Sequence, residues 1–229
     1  LINNAGIVAI PLTRNAAGHE MQMATNYLGN FALVGRMLPF FSAERLCRVV
    51  NVGSLAHRFG TLPLHDMNWE KDNYKPMAGY ARSKVALLTF TLELNRRLAG
   101  RNIIALAAHP GFAATEITAG NPAMQPKNAI SRWINSKIEP LIPTAADAAR
   151  PILHAALAEG VRGGECYGPG GFLEIAGDRG KIVAENGKLS FRLNRQGVRE
   201  FRETSPKSFA TPECWDIDVP CPVKMPENH

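Results

Sequence analysis

Residues 48–52 read Arg-Val-Val-Asn-Val, and this short run sets the fold that the remaining sequence must fit. Valine is stiff at χ1 and favours extended backbone, so the run predicts a buried strand. Residues 102–108 form a second short apolar run, and turn-forming residues follow both, at Gly53-Ser54 and at His109-Pro110-Gly111. Strands that are apolar throughout are typical of a parallel sheet covered on both faces.

Amphipathic segments separate these strands. Residues 78–99 give the clearest predicted helix, because Leu87, Leu94 and Leu98 recur at helical spacing and Gly100 stands where a C-terminal cap belongs. Between the strand at residues 48–52 and this helix, residues 57–77 are rich in Gly, Pro, Asp and Asn, which predicts a long loop.

Residues 18–41 predict an earlier helix, and residues 128–138 predict a short later one. A capping box, Thr144 to Asp147, opens a helix that reaches Glu159, with a kink expected at Pro151.

Two further strands are predicted, one ending at Leu1–Asn3 and one at residues 165–168. Strands and helices thus alternate, which predicts an α/β fold with a doubly wound parallel sheet. We expect residues 1–175 to form this domain and residues 176–229 to form an irregular C-terminal extension, because periodicity fades there. A lid, a partner contact and a disordered tail stay open for the extension.

Composition excludes several classes of protein. Of the 229 residues, 45% are hydrophobic, yet no apolar run approaches the roughly 18 to 20 residues of a membrane span. The net charge of +6 is scattered, without the basic cluster that a nucleic acid partner requires. The four cysteines lie far apart, so we predict no metal site and a reducing, cytoplasmic location. Any targeting or anchoring segment ahead of Leu1 is left open.

The segment Tyr80-Ala-Arg-Ser-Lys84 lies in the clearest helix and carries chemistry. Residues four apart share a helix face, and a nearby ammonium favours the phenolate form of tyrosine. The pair therefore suits proton transfer during interconversion of a carbonyl and an alcohol. The spacing alone occurs by chance in many helices, where it means a surface lysine beside a half-buried tyrosine.

Other motifs accompany this pair in a fixed order. Asn3-Asn4-Ala5-Gly6 closes a strand, Asn26 lies in the next helix, Ser54 follows the second strand, and Pro110-Gly111 with Thr115 follows the third. In this order and spacing, residues 1–171 resemble the short-chain dehydrogenase/reductase family. The resemblance implies a Rossmann-type fold.

Finer matches resemble the branch of retinol dehydrogenases and protochlorophyllide reductases. They are the long interval from Ser54 to Tyr80 and the segments 51–57, 68–70, 108–111 and 164–169. Gly53 departs from the branch, which usually has a second serine there. Because the catalytic serine aligns with Ser54, we expect this departure to matter little.

The resemblance implies four catalytic residues. Tyr80 would exchange a proton with the substrate oxygen, and Lys84 would keep Tyr80 acidic and bond the nicotinamide ribose. Ser54 would stabilise the substrate oxygen, and Asn26 would anchor a water that links Lys84 to solvent, unless Asn26 only bonds backbone. Besides Tyr80 and Lys84, the implied cofactor-binding residues are Asn4, Ala5 and Gly6 on the adenosine side and Pro110, Gly111 and Thr115 near the nicotinamide and phosphates.

The implied function is an oxidoreductase that uses NADP or NAD, with a preference that the sequence does not give. Its substrate would be an apolar small molecule bearing a carbonyl or an alcohol, and homo-oligomers are an expectation of the family. The alternative is a non-catalytic or regulatory relative, a binding or scaffold protein without cofactor binding.

The remaining candidates are weaker. For His109 a structural role at a strand end is favoured over substrate contact, and we expect His57 and His65 to be solvated in their loop. Trp133 and Ile134 lie where the family places a substrate-covering helix, and either pocket lining or simple packing fits them. Trp215 is equally open between a cap on the site and a partner contact.

One family element is missing from the sequence. The Gly-rich turn TGxxxGxG, which brings the cofactor pyrophosphate to a helix N-terminus, does not occur ahead of Asn3. Without its strand, an apolar edge beside Leu1–Asn3 would be bare. We therefore expect the N-terminal strands of the fold to be absent from this sequence, which then represents part of a longer chain or has that place filled by another chain or segment.

Overall fold

The strands form a single sheet in the computed structural model, which describes residues 1–71, 73–111 and 144–169 and the backbone of residues 182–185. Strands β1 to β4 run parallel in chain order, and β5 pairs antiparallel with β4. The predicted parallel α/β sheet is therefore confirmed. The strands are β1 (Ile2–Asn3), β2 (Cys47–Val52), β3 (Ile103–Ala108), β4 (Cys166–Pro169) and β5 (Ile182–Glu185).

Strand β5 lies in the range for which the sequence predicts an irregular extension. It pairs Ile182 with Pro169 and Glu185 with Cys166. Four residues give too short a run for periodicity to reveal, and the backbone of β4 supplies the hydrogen bonds that make the segment a strand. The expectation of irregular structure is therefore wrong for these four residues.

The helices follow the predicted order, with different bounds. The first predicted helix is helical from Met21 to Phe40, as α1 (Met21–Met23), a π-helical turn (Ala24–Leu28), α2 (Gly29–Met37) and a 3₁₀ turn (Leu38–Phe40). The clearest predicted helix is α3 (Pro76–Arg97), which starts two residues early because proline suits the first helical position. Helix α4 (Ala145–Leu157) opens with the predicted capping box and continues through Pro151.

The sheet is buried on both faces, as its apolar strands predict. Val49 and Val50 are neighbours in β2, and each is fully buried. Val49 joins the core formed with α2 and α3, whereas Val50 joins the core formed with α4. Successive side chains of a strand point to opposite faces, so a helix layer covers each face here.

A series of hydrogen bonds between buried polar side chains connects β1 to the helix layer. The Asn3 amide donates to the Asn51 oxygen at 2.7 Å, and the Asn51 amide donates to the Thr91 hydroxyl at 2.9 Å. The Thr91 hydroxyl in turn donates to the Leu87 carbonyl at 2.8 Å. This series of hydrogen bonds fixes the register of β1. Ile2 of β1 is 43% exposed at the edge of the sheet.

Replacing Thr91 with valine keeps the shape of the side chain and removes the acceptor for the Asn51 amide. We expect the free energy of unfolding to fall by about 2 kcal/mol, since a buried donor then lacks a partner. Urea denaturation measures the effect. Thr89→Val is the matched control, because the buried Thr89 hydroxyl makes the same kind of bond to Val85 at 3.0 Å and accepts from no described amide. Equal losses of unfolding free energy for both variants would contradict a stabilising role of this series of hydrogen bonds.

Candidate active site

The turns after β1, β2 and β3 converge at the carboxyl edge of the sheet, where open α/β folds bind ligands. Asn4–Gly6 follow β1, Gly53-Ser54 follow β2, and His109–Gly111 follow β3. Helix α3 crosses beneath this edge and brings Tyr80 and Lys84 to it. The proximity is direct, because Lys84 bonds the last residue of β2.

Ser54 is the residue at which extended backbone changes to a 3₁₀ turn, Leu55–Phe59. Its backbone is extended, with φ −159° and ψ 151°, and its Oγ accepts from the Ala56 N–H at 3.2 Å. Because that bond uses a lone pair, the hydroxyl proton stays available for donation. The Ser54 hydroxyl also lies close enough to the Tyr80 phenol to lower the pKa of Tyr80. The structure thus brings together the serine and the tyrosine that the sequence predicts.

Lys84 is buried, with 5% of its surface exposed. Its Nζ donates to the Val52 carbonyl at 2.7 Å and lies 5.8 Å from the centre of the Tyr80 ring. An ammonium has three donors, and Val52 takes one of them. Lys84 therefore has donors left for a ligand at the sheet edge.

Burial governs the pKa values of both residues. It lowers the pKa of Lys84 from 10.5 to about 8, because the ammonium is the charged form. Burial raises the pKa of Tyr80 for the opposite reason, since its charged form is the phenolate, and the hydrogen bond with Ser54 partly lowers it. The acidifying effect of Lys84 on Tyr80, which the resemblance implies, stays a prediction.

Asn26 is fully buried inside the π-helical turn. Its side chain accepts from the Ile7 N–H at 2.9 Å, donates to the Ile7 carbonyl at 3.0 Å, and donates to the Ser83 hydroxyl at 2.8 Å. These bonds tie the turn after β1 to α3. The backbone carbonyl of Asn26 accepts from the Asn30 side-chain amide at 2.9 Å. The described contacts therefore give Asn26 a connecting role, and its predicted water-anchoring role stays a prediction.

Gly6 lies directly above Asn26 and Lys84. A Cβ built at Gly6 would be 3.1 Å from the Asn26 Oδ1 and 3.6 Å from the Lys84 Nζ. Gly6 is half-buried, and Asn4 and Ala5 beside it are exposed. A residue without a side chain at this position lets a ligand approach the backbone closely, which the predicted cofactor role requires.

Pro110 and Gly111 bound the other side of the site. Gly111 has φ 73°, in the left-handed region that favours glycine, and its N–H donates to the His109 Nδ1 at 3.3 Å. The third predicted residue of this group, Thr115, lies outside the described residues. So do Trp133, Ile134, Trp215 and the predicted helix at residues 128–138.

His57 corrects an expectation drawn from the sequence. The sequence predicts it to be solvated in a loop, but it is 8% exposed. It is buried because the 3₁₀ turn folds its ring back towards Ser54 and against His109, with ring centres 6.5 Å apart. His65 is exposed, as expected. His109 is 2% exposed at the end of β3, which is compatible with the favoured structural role.

The long loop before α3 is anchored by a residue that the sequence analysis did not single out. Arg82 lies between Tyr80 and Lys84 and is 3% exposed. Its guanidinium stacks 3.6 Å from the centre of the Trp69 ring and donates to the Asp66 carbonyl at 2.6 Å. Its place between Tyr80 and Lys84 was the available signal. Its partners could not be read from sequence, because they lie in a loop without periodicity.

Glu20 is a second residue that sequence reasoning missed. It is fully buried, and its carboxylate accepts from the Gln22 and Met23 N–H groups at 2.9 and 2.7 Å at the start of α1. The Tyr74 hydroxyl donates to it at 3.0 Å. The long loop therefore also holds the N-terminus of the helical segment that carries Asn26.

The described residues contain neither a membrane-spanning helix nor a metal site. No helix among them has the length and apolar character needed to cross a membrane. In the same part of the chain, histidine, cysteine, aspartate and glutamate form no group of three that could hold a metal ion.

Comparisons with known proteins bear on the whole arrangement. The model of the family described as short chain dehydrogenase matches residues 1–126. Retinol dehydrogenase 12 of Homo sapiens is 37% identical over 161 residues, which are 70% of this chain and 48% of that protein. The chain thus spans about half the length of this curated relative.

Solved structures give the same picture of the fold. An uncharacterized protein from Mycobacterium paratuberculosis is 36% identical, with a TM-score of 0.59, over 80% of this chain and 56% of that one. A blue fluorescent protein from a metagenomic library, solved in complex with NADPH, is 27% identical, with a TM-score of 0.50. That likeness covers 72% of this chain and 60% of the fluorescent protein.

Proposed function

The chain belongs to the short-chain dehydrogenase family, and from this premise we propose that it carries the catalytic residues of an NAD(P)-dependent oxidoreductase. The reaction is the interconversion of a carbonyl and an alcohol. The observation that carries the proposal is the placement of the Tyr80 phenol near the Ser54 hydroxyl, which lowers its pKa, and near the buried ammonium of Lys84, 5.8 Å from the centre of the Tyr80 ring. These three groups are a hydroxyl donor, a proton-exchanging phenol and a cation at one sheet edge.

Proton transfer at the substrate oxygen is the task of Tyr80. Burial keeps its pKa raised, so the phenol is protonated at neutral pH and ready to donate. In carbonyl reduction the phenol O–H bond breaks and its proton forms the new alcohol O–H. In alcohol oxidation the proton moves the other way, from the substrate to the phenolate.

Charge at the substrate oxygen is stabilised by Ser54. Its Oγ accepts from the Ala56 N–H, which leaves the hydroxyl proton available for donation to the reacting oxygen. A donor fixed in advance costs no reorganisation when negative charge develops. Lys84 stabilises the phenolate that remains on Tyr80 after proton donation, through an ammonium that the Val52 carbonyl holds in place.

A nicotinamide cofactor supplies or accepts the hydride. The residues present fit the ribose and adenosine sides of the cofactor. Gly6 has no side chain to fill the space beside the spare donors of Lys84, and the exposed Asn4 and Ala5 precede Gly6. Pro110 and Gly111 would flank the nicotinamide. The fluorescent protein that binds NADPH supports a nicotinamide cofactor, and the choice between NADP and NAD is left to experiment.

We propose an apolar alcohol, or the corresponding aldehyde or ketone, as substrate. Similarity to a retinol dehydrogenase supports this class, since retinol is an apolar alcohol. The intact set of Ser54, Tyr80 and Lys84 favours catalysis over a purely regulatory role.

The test is hydride transfer followed by absorbance with NADPH and with NADH, against a panel of apolar aldehydes and ketones. We expect turnover with one of the two cofactors and none with a carboxylic acid of the same size, which offers no reducible carbonyl under these conditions. Tight cofactor binding without turnover of any substrate would reject the enzyme and favour the non-catalytic relative.

A further inference from the structure

His57 lies against the active site and has no part in the chemistry proposed above. Its backbone N–H donates to the Ser54 carbonyl at 3.1 Å, and its ring Nδ1 contacts the same carbonyl. A carbonyl oxygen only accepts hydrogen bonds, so the Nδ1 of His57 must carry a proton. One histidine thus supplies two donors to one serine carbonyl.

The His109 ring packs behind the His57 ring. The two imidazoles meet edge to face, with ring centres 6.5 Å apart and an interplanar angle of 61°. The backbone N–H of His109 donates to the Tyr167 carbonyl at 2.8 Å, which fixes it to β4. A Cβ at Gly168 would be 2.2 Å from the His109 Nε2, so the ring fills the space that this glycine leaves. Strands β3 and β4 thereby support the position of His57.

Ser54 is consequently held on both of its polar groups. Its carbonyl receives the two donors of His57, and its Oγ receives the Ala56 N–H at 3.2 Å. With the carbonyl fixed, the backbone orientation at Ser54 is set, and the bond from the Ala56 N–H to Oγ restrains the remaining rotation about χ1. Loss of the ring donor would leave a single backbone bond on that carbonyl.

We propose that His57 is a positioning residue, which aims the Ser54 hydroxyl at the reacting oxygen through the bond from its Nδ1–H to the Ser54 carbonyl. This inference rests on the proposed function, because it assigns His57 to the same reaction. It distinguishes His57 from a residue that only fills space, since the ring nitrogen and not the ring volume is what acts on Ser54.

The test compares two variants of nearly equal size. His57→Asn keeps an N–H close to the position of Nδ1, whereas His57→Leu keeps the volume without a donor. We expect His57→Leu to lower kcat about 10- to 100-fold, with KM for cofactor and substrate changed less than about twofold, since a misplaced Ser54 harms the transition state more than binding. His57→Asn is expected to retain kcat within about threefold of the parent protein.

A double-mutant cycle with Ser54→Ala shows whether His57 acts through the serine. In the Ser54→Ala background, His57→Leu should lower kcat by less than about twofold, because the group it positions is gone. A full additional loss in that background, or equal losses for the Asn and Leu variants, would overturn the inference. A Ser54→Ala variant with parental turnover would instead reject the role of Ser54 in the proposed function.

Nitrogen-15 NMR of the histidine rings tests the inference without turnover. We expect the Nδ1 of His57 to be protonated and slow to exchange, and its signal is assigned by its loss in His57→Asn. An unprotonated Nδ1 would overturn the inference even in a protein with full activity. A protonated Nδ1 in a protein that turns over no substrate would reject the proposed function and leave the hydrogen bond to Ser54 established.

Discussion

Replacing Tyr80 with phenylalanine is expected to lower kcat by a factor on the order of 100 to 10,000, while cofactor affinity changes little. The variant removes one oxygen and its proton and keeps the buried ring. The substrate oxygen then has no acid or base within reach, and Ser54 can donate a hydrogen bond but not replace the phenol as proton source. Steady-state kinetics with saturating cofactor measures the loss, and fluorescence titration of the reduced cofactor measures the affinity.

The matched control for this variant is Tyr27→Phe. Tyr27 is 5% exposed and packs in the core between α2 and α3, with its ring 6.1 Å from that of Phe90. This change also removes a phenol oxygen from a buried tyrosine, but away from Ser54 and Lys84. We expect turnover within about threefold of the parent protein. If Tyr80→Phe turned over substrate as fast as Tyr27→Phe, the proposed function would be wrong.

Replacing Lys84 with methionine is expected to abolish turnover without loss of stability at pH 7. Burial of the ammonium lowers its pKa from 10.5 to about 8, a difference that corresponds to a cost of about 3 kcal/mol when the group is charged. Methionine avoids that cost but leaves the Val52 carbonyl without its donor, which costs about 1 to 3 kcal/mol. The free energy of unfolding should therefore stay the same or rise by up to about 2 kcal/mol.

The pH dependence of stability gives the sign of this effect. The folded state of the parent protein releases the Lys84 proton near pH 8, whereas the unfolded state keeps it up to about pH 10.5. Between these values the unfolded state binds more protons, so this group makes the parent protein more stable as pH rises. Methionine does not titrate, and any stability advantage of the variant should shrink above pH 8.

Urea denaturation at pH 7 and pH 9.5 measures both quantities, with Lys75→Met as the control. Lys75 is an exposed lysine just before α3, and its removal should change stability by less than about 0.5 kcal/mol at either pH. A Lys84→Met variant that loses several kcal/mol at pH 7 would show that the ammonium stabilises the fold. Parental turnover in that variant would remove Lys84 from the proposed mechanism.

The placement of the candidate active-site residues could be predicted in part from the sequence. The resemblance carried by Asn26, Ser54, Tyr80 and Lys84 implies that they belong to one site. The approach of the Ser54 hydroxyl to Tyr80 and the bond of Lys84 to the last residue of β2 agree with that expectation. Their roles in catalysis stay predictions.

The supporting contacts could not be predicted in the same way. His57 reads as a loop residue, yet its ring is buried between Ser54 and His109. Arg82 carries no signal of its partner in the sequence between Tyr80 and Lys84, yet it stacks on Trp69 across the long loop. Partners in a loop have no periodic signal, and the chain distance between them carries no information about their contact.

The sequence by itself determined the parallel α/β sheet and the family, and it supplied the candidate residues for the chemistry. These follow from local patterns, namely apolar runs without alternation, helical spacing, and motifs that close each strand. Tertiary structure decided which groups are desolvated and which atoms meet. Burial is what lowers the pKa of Lys84 and raises that of Tyr80, and burial depends on packing between segments far apart in the chain.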